Sequence, residues 1–392
     1  MRRILFWTHL CAGLVAGLVI IVMSATGVAL TYQRQMQAWA DRGDWRPPAS
    51  GRPLPVDELI SRVHQELPDA TITSVTLRSA SDQLATLAVT RGPAPTLQID
   101  PYTGAVVPLG PRAAGMRAFF RSMTDWHRWL ARSGDSRASG RAVTGAANLM
   151  FLFIVLSGLV LWWPRQLSRR AFAAVTWFRR PASARARDFN WHNVTGFWTA
   201  IPLAAIVASG AVISYSWAGN LVYRMAGEAP PVPAAAAGGT RAQGERSAPP
   251  DPAGLPLARA VQSAAARVPD WRSLAIRLPN APAAPFSIAV DRGTGGQPQL
   301  RGTLTADASS GEVTRWEPFE SQTRGRRWRA YLRFAHTGEV LGITGQTVAG
   351  IASAGAVFLA YTGVSLSLRR FGAWTKRRRR DDTGSVDESQ AA

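Results

Sequence analysis

Trp-His-Asn-Val-Thr-Gly-Phe-Trp-Thr-Ala-Ile-Pro-Leu-Ala-Ala-Ile-Val-Ala-Ser-Gly, residues 191–210, decides the fold. It lies in a stretch, Phe189 to Tyr223, without a single Asp, Glu, Lys or Arg. Three further stretches share that property: Leu10 to Gln33, Ala142 to Pro164 and Val340 to Leu368. About 20 apolar residues cross the hydrocarbon core of a bilayer as a helix. Only helices and closed barrels satisfy their backbone groups there. Four such stretches in 392 residues therefore predict four transmembrane helices. The first follows Arg2 and Arg3, as a secretory signal would. Its apolar run exceeds the usual signal core of roughly 7–15 residues, so it reads as a retained anchor.

The formal net charge is +20, almost all from arginine. These arginines flank the apolar stretches instead of forming one soluble basic patch, which argues against a nucleic-acid partner. Arg2 and Arg3, the loop holding Arg165, Arg169, Arg170, Arg179, Arg180, Arg185 and Arg187, and the tail with Arg369, Arg370 and 376–380 fall on one side of the four spans. The positive-inside bias makes that side, with both termini, cytoplasmic. The segments from about Arg34 to Arg141 and Arg224 to Glu339 then lie outside. Cys11, the only cysteine, sits in the first span, so disulfides and cysteine-ligated clusters are excluded.

The two outer segments repeat each other. Leu54-Pro55 recurs as Leu255-Pro256, Pro68-Asp69 as Pro269-Asp270, and Ala88-Val89-x-Arg91-Gly92 as Ala289-Val290-x-Arg292-Gly293. Asp100-x-x-Thr-Gly104-x-Val106 recurs as Asp307-x-x-Ser-Gly311-x-Val313. Each copy predicts a helix (Val56 to Glu66; Leu257 to Arg267), then alternating strands such as Leu84 to Val89 and Ser287 to Val290. Two small α+β modules follow. The Pro/Ala/Gly tract from Ala229 to Pro252 reads as a linker. The repeat enters the membrane: His9-x3-Gly13 opens span 1 and His192-x3-Gly196 opens span 3, with Thr26-Gly27 and Ser209-Gly210 late in each. Spans 2 and 4 match more loosely. His127 and His336 precede them, with Gly140/Gly145 and Gly345/Gly350 next, then Ser-Gly158 and Thr-Gly363. The chain is a duplication with a pseudo-two-fold axis along the membrane normal.

Four of the five histidines follow that duplication. His9 and His192 sit at the cytoplasmic ends of spans 1 and 3; His127 and His336 sit at or above the outer ends of spans 2 and 4. Each pair offers two imidazoles at one depth, which is what six-coordinate haem requires of its axial ligands. Gly13 and Gly196, a turn after their histidines, would let a porphyrin lie against the backbone. At about 1.5 Å of rise per residue the two levels stand roughly 25–30 Å apart. A lone interfacial histidine is commonly an amphipathic anchor, but two symmetry-matched pairs are not explained that way. His64 has Ala265 as its repeat partner and reads as a surface residue. Zinc or copper would want three or four close ligands.

Fifteen tryptophans include Trp7, Trp126, Trp129, Trp162, Trp163, Trp191 and Trp217 near span ends, as an interfacial belt does. Trp126 and Trp191 directly precede histidines and could pack on a haem. Two arginine clusters run against the positive-inside bias: Arg121, Arg128, Arg132, Arg137 and Arg141, and Arg324, Arg326, Arg327, Arg329 and Arg333. Haem propionates, an anionic substrate or lipid headgroups would each account for them. No acid–base or nucleophile constellation is present, so no catalytic residue is assigned.

The chain resembles the PepSY-associated transmembrane helix family of bacterial inner-membrane proteins over about residues 3–370. The resemblance rests on His9-x3-Gly13, Trp-His127-Arg-Trp-Leu130, Trp-His192-Asn-Val-Thr-Gly196 and His336-Thr-Gly338-Glu-Val-Leu-Gly342. It implies an α-helical membrane protein in the inner membrane, with four transmembrane helices and two periplasmic PepSY-like α+β modules. The expected order is span 1 at 1–33, module 1 at 34–120, a histidine segment with span 2 at 121–164, and a basic loop at 165–190. Span 3 at 191–218, linker and module 2 at 219–323, a second histidine segment with span 4 at 324–369, and a basic tail at 370–392 complete it. Members include dihaem ferric-siderophore reductases of the ferrioxamine type. The resemblance thus implies two haem b groups, a ferric siderophore as substrate, Fe(II) release in the periplasm and an unnamed electron donor. A haem-free scaffold or signalling protein and a quinol-linked cytochrome b with another acceptor are the alternatives.

Overall fold

The computed structural model describes residues 1–90, 95–164, 168–180, 183–231, 255–279 and 284–390, with backbone alone from 376 onward. Arg91-Gly92, Arg165, most of the Pro/Ala/Gly tract and the side chains of 376–380 lie outside the described residues. In chain order the helices are α1 (Arg2–Leu30), α2 (Gln33–Arg42), α3 (Val56–Glu66), α4 (Pro111–Trp129), α5 (Arg137–Trp162) and α6 (Arg169–Thr176). They continue as α7 (Ala184–Ser214), α8 (Ser216–Met225), α9 (Leu257–Arg267), α10 (Arg324–His336) and α11 (Gly342–Gln390).

Among the described residues four helices are long and apolar enough to cross a membrane: Arg2–Leu30, Gly134–Trp162, Ala184–Ser214 and Glu339–Thr375. They are the four spans expected from the uncharged stretches, and the chain is a membrane protein. α1 packs along α5 and α11, and α7 packs along the same two, so α1 and α7 face each other across the bundle. The bundle leaves Leu18, Ile201, Ile351 and Tyr361 bare, an apolar surface that suits lipid. At the basic-loop end, the Arg2 guanidinium donates to the carbonyls of Val160, Leu161 and Trp163. It thereby satisfies the last turn of α5, where unpaired carbonyls and the negative end of the helix dipole coincide.

The opposite end carries the strands β1 (Ile72–Arg78), β2 (Ala85–Val89), β3 (Thr96–Ile99), β4 (Val106–Val107), β5 (Ser273–Arg277), β6 (Phe286–Asp291), β7 (Arg301–Ala306) and β8 (Val313–Pro318). Both predicted helices of the modules, α3 and α9, begin and end where the repeat places them. The modules themselves are not separate bodies. They fuse into one antiparallel sheet of eight strands, ordered β4-β3-β2-β1-β5-β6-β7-β8. α3 and α9 cover it over a single core that includes Leu59, Ile60, Val63, Leu257, Leu274, Ile288 and Leu304. The physical reason is the β1 edge. Left unpaired, it would expose a row of backbone groups beside apolar side chains, and β5 covers it.

The register shows where the pseudo-dyad passes. Val75 pairs with Ile276, its own repeat partner, while Ser74↔Arg277 and Thr76↔Ala275 are symmetric around it. The Asp57 carboxylate crosses the same axis and accepts from the backbone N–H of its repeat partner, Ala258, at 3.1 Å. It caps the first turn of α9. Burial raises its pKa, while the N–H donors of Ala258 and Leu257 pull it back down. The two predicted turns are present: Gly104 and Gly311 take left-handed φ of 76° and 71°. A side chain at Gly311 would meet the Pro256 carbonyl at 2.6 Å.

Between sheet and bundle lie α4 and α10, which the sequence reading joins to spans 2 and 4. They are separate amphipathic helices: α2 packs on α4, and α8 on α10. α4 begins at Pro111, within the stretch assigned to the first module. A sharp turn follows each, and the next span starts in backbone contact with it. An added Cβ at Gly140 would collide with the Trp129 carbonyl, and one at Gly345 with the Gly338 carbonyl. The Gly-x4-Gly steps thus begin where each span crosses the end of its histidine helix.

Candidate histidine site

His127 closes the last turn of α4 and His336 ends α10. The helices aim both imidazoles into the bundle. Their ring centroids are 6.2 Å apart at an interplanar angle of 65°. His9 on α1 and His192 on α7 form the second pair, near enough to interact electrostatically. Among the described residues, no group of three His, Cys, Asp or Glu side chains gathers anywhere. The His127 Nδ1 meets the carbonyl of Met23, fourteen residues along α1 from His9. At about 1.5 Å per residue the two levels are therefore about 21 Å apart.

Each imidazole is held through Nδ1 alone. His127 Nδ1 donates to the Met23 carbonyl at 2.8 Å and to Thr26 Oγ1 at 3.1 Å. His336 Nδ1 donates to the Ile206 carbonyl at 2.8 Å, with Ser209 Oγ at 3.5 Å. His9 Nδ1 meets Ser157 Oγ at 2.8 Å, and His192 Nδ1 meets Thr362 Oγ1 at 2.9 Å. Thr26 also donates to Val22, Ser157 to Ile154, Ser209 to Ala205 and Thr362 to Phe358, each within its own helix. A carbonyl can only accept, so Nδ1 carries the proton at His127 and His336 and leaves Nε2 a bare lone pair. At His9 and His192 the hydroxyls hold Nδ1 and leave Nε2 facing away from them. No described residue hydrogen-bonds any of the four Nε2 atoms.

The sequence shows the Ser/Thr-Gly steps but gives them no role. The structure makes them the seats of the histidines. A Cβ added at Gly27, Gly158 or Gly363 would lie 3.5 Å from Cε1 of His127, His9 or His192. At Gly210 it would lie 3.2 Å from Cε1 of His336 and 3.0 Å from Asn148 Oδ1. A hydroxyl orients each ring beside a glycine, four times over, and at Gly210 an added Cβ would crowd the ring and Asn148. The recurrence of Ser/Thr-Gly in every span is the signal that marks them. Gly13 and Gly196 do something else: an added Cβ meets no protein atom within 4 Å at Gly13, and only Leu359 at 3.7 Å at Gly196. Protein packing does not require glycine at either.

Electrostatics favour neutral rings at the sheet-side pair. Burial pushes His127 down to about 4, with His336 beside it adding to the effect. Burial likewise lowers His336. Arg333, one turn before His336, is also lowered by burial, although Glu339 nearby opposes the shift. Glu339 is itself ion-paired with Arg34 at 2.8 Å. His64 is exposed on α3, far in the fold from either pair. Trp191 packs on Phe358, their centroids 5.8 Å apart, whereas Trp126 is largely exposed.

The residues fit a metal held by two imidazoles. Two metal–nitrogen bonds of about 2 Å, plus roughly 1 Å from each ring centre to its Nε2, come to about 6 Å, against the 6.2 Å between His127 and His336. Ligating imidazoles characteristically donate their other nitrogen to a carbonyl or similar acceptor, as His127 and His336 do here toward Met23 and Ile206. No curated protein matches the chain. The family model described as the PepSY-associated TM region matches residues 6–370, nearly the whole duplicated architecture, and the chain belongs to that family.

Proposed function

We propose that the protein is a dihaem b-type membrane reductase that carries electrons across the bilayer to a ferric siderophore. The observation that supports it best is the fourfold shell just described: two histidine pairs, each ring oriented through Nδ1 and presenting a free Nε2. His9 and His192 would hold one haem, and His127 and His336 the other. The glycines at 13 and 196, unexplained by protein packing, suit a flat ring lying against the backbone. Bound haem would supply one-electron redox chemistry at each level.

The chain's own residues do the rest. The Met23 and Ile206 carbonyls fix the tautomer of the sheet-side pair, and the Thr26, Ser157, Ser209 and Thr362 hydroxyls orient the four rings. Burial favours neutral rings at His127 and His336. Arg128 and Arg333, beside their histidines, are cations placed for carboxylates. The positive-inside bias puts the sheet on the periplasmic side of an inner membrane. Fe(III) is hard and suits oxygen chelators, and Fe(II) is held by them far less tightly. One electron added to the chelate therefore releases the metal with no bond of the chelator broken.

Purified protein should be red, with b-type α-bands on dithionite reduction and two haems per chain. Anaerobic mixing of the reduced protein with ferric siderophores should reoxidise it. A colourless but folded preparation would overturn this reading in favour of a scaffold. A red protein that no ferric chelate reoxidises would favour a quinol-linked cytochrome with another acceptor.

A further inference from the structure

The two halves differ sharply in charge beside the sheet-side histidines. Counted back from the histidine along each helix, Arg117, Phe120 and Thr124 of α4 correspond to Arg326, Arg329 and Arg333 of α10. On the packing helices, Asp41 of α2 corresponds to Arg224 of α8. In the first half Asp41 and Arg117 are ion-paired at 3.0 Å, and Phe120 is fully buried. That corner is neutral and closed. In the second half the four equivalent positions are all arginine. None has a carboxylate within ion-pair distance among the described residues. The nearby acids are engaged elsewhere: Glu339 with Arg34, and Glu228 with the backbone N–H of Gly325.

Where Phe120 fills the first half, the second half has an open cavity of about 440 Å³, lined by Val212, Tyr223, Arg326, Arg329, Arg333 and Phe334. Arg329 and Arg333 precede His336 by seven and three residues, which puts them on its own helical face. The arginines thus form a stripe leading from the solvent edge to the histidine. Uncompensated charge on one face of a cleft raises the arrival rate of the opposite charge. Like charges gathered without a carboxylate in ion-pair contact cost stability, and a ligand that neutralises them recovers it.

We propose that this cavity receives the substrate and selects ferric chelates of net negative charge, those built from carboxylate or catecholate oxygens, over neutral or cationic ones. The proposal rests on the reductase reading. The reaction balances as one electron leaving the reduced protein, Fe(III) becoming Fe(II), and the complex becoming one unit more negative.

The test is anaerobic stopped-flow reoxidation of dithionite-reduced protein by ferric citrate and by a neutral ferric trihydroxamate, across ionic strength. The citrate rate should fall about tenfold from low to high salt while the trihydroxamate rate stays flat. Arg326→Gln/Arg329→Gln should lower the citrate-to-trihydroxamate rate ratio about tenfold at low salt, with both haems retained. Arg224→Asp, which copies the first half, should lower that ratio in the same direction. Equal salt slopes for both chelates, or an unchanged ratio in both variants, would overturn the selection. Loss of the sheet-side haem bands in the double variant would overturn it too, because the arginines would then be holding haem carboxylates. If no chelate of any charge reoxidises a red protein, the reductase reading fails with it, a result distinct from reoxidation without charge preference.

Discussion

His127 hangs from Met23 and Thr26 of α1, and His336 from Ile206 and Ser209 of α7, by the same bonds at equivalent positions. A helical turn or two away the likeness ends: Phe120 is buried where Arg329 faces a cavity. Three first-half arginines meet other protein groups. Arg128 and Arg137 lie over Trp129, and Arg141 donates to the Ser214 carbonyl. The contrast separates two kinds of constraint. Holding a ring by Nδ1 needs an acceptor at one place on the facing helix, so both copies keep it. The corner above the ring needs only to be filled or wetted, so the copies could diverge.

The strongest way to break the comparison is at the ligands. His127→Ala and His336→Ala should each lose the same haem, and His9→Ala and His192→Ala the other, taking a pyridine haemochrome count from two to one. His64→Ala should leave the count at two. Equal losses from all five substitutions would sink the pairing.

A sharper test uses the glycine seats. Gly210→Ala pushes a methyl to 3.0 Å from Asn148 Oδ1 and 3.2 Å from His336, while Gly27→Ala meets His127 at an ordinary 3.5 Å. Overpacking costs about 1–3 kcal/mol, so Gly210→Ala should shift the sheet-side α-band and weaken haem retention. Gly27→Ala should do neither. Identical spectra for the two variants would show that the halves relax alike.

Removing the hydroxyls should be milder. Ser157→Ala and Thr362→Val each delete a hydroxyl partner of a histidine Nδ1, and outer partners of this kind are worth about 10–100-fold in metal affinity. Faster haem loss to apomyoglobin is the expected readout, larger for Ser157→Ala because His192 also meets the Leu359 backbone. The smallest effect is at the dyad. Asp57→Ala removes the cap on α9 and should cost about 1 kcal/mol in thermal unfolding. Ala258→Asp would put a second carboxylate against Asp57 and should cost at least as much.

The sequence by itself determined the four spans, because about 20 uncharged residues admit few other outcomes. It also determined the duplication, the limits of α3 and α9, and the two turns at Gly104 and Gly311, where local periodicity and glycine chemistry act within a few residues. Which histidines share a level was legible too, because the offsets of the repeat carry it. Tertiary structure alone decided that the modules are one sheet. The pairing of Val75 with Ile276 joins residues 201 positions apart in the chain, and two separate edges have the same local sequence as two joined ones. It also decided what the Ser/Thr-Gly steps are for, since a hydroxyl in one helix and the imidazole it orients in another meet only once the bundle packs. The cationic corner came from both. The arginines were visible in the sequence, but their want of an ion-paired carboxylate depends on where Asp41, Glu228 and Glu339 lie in the fold.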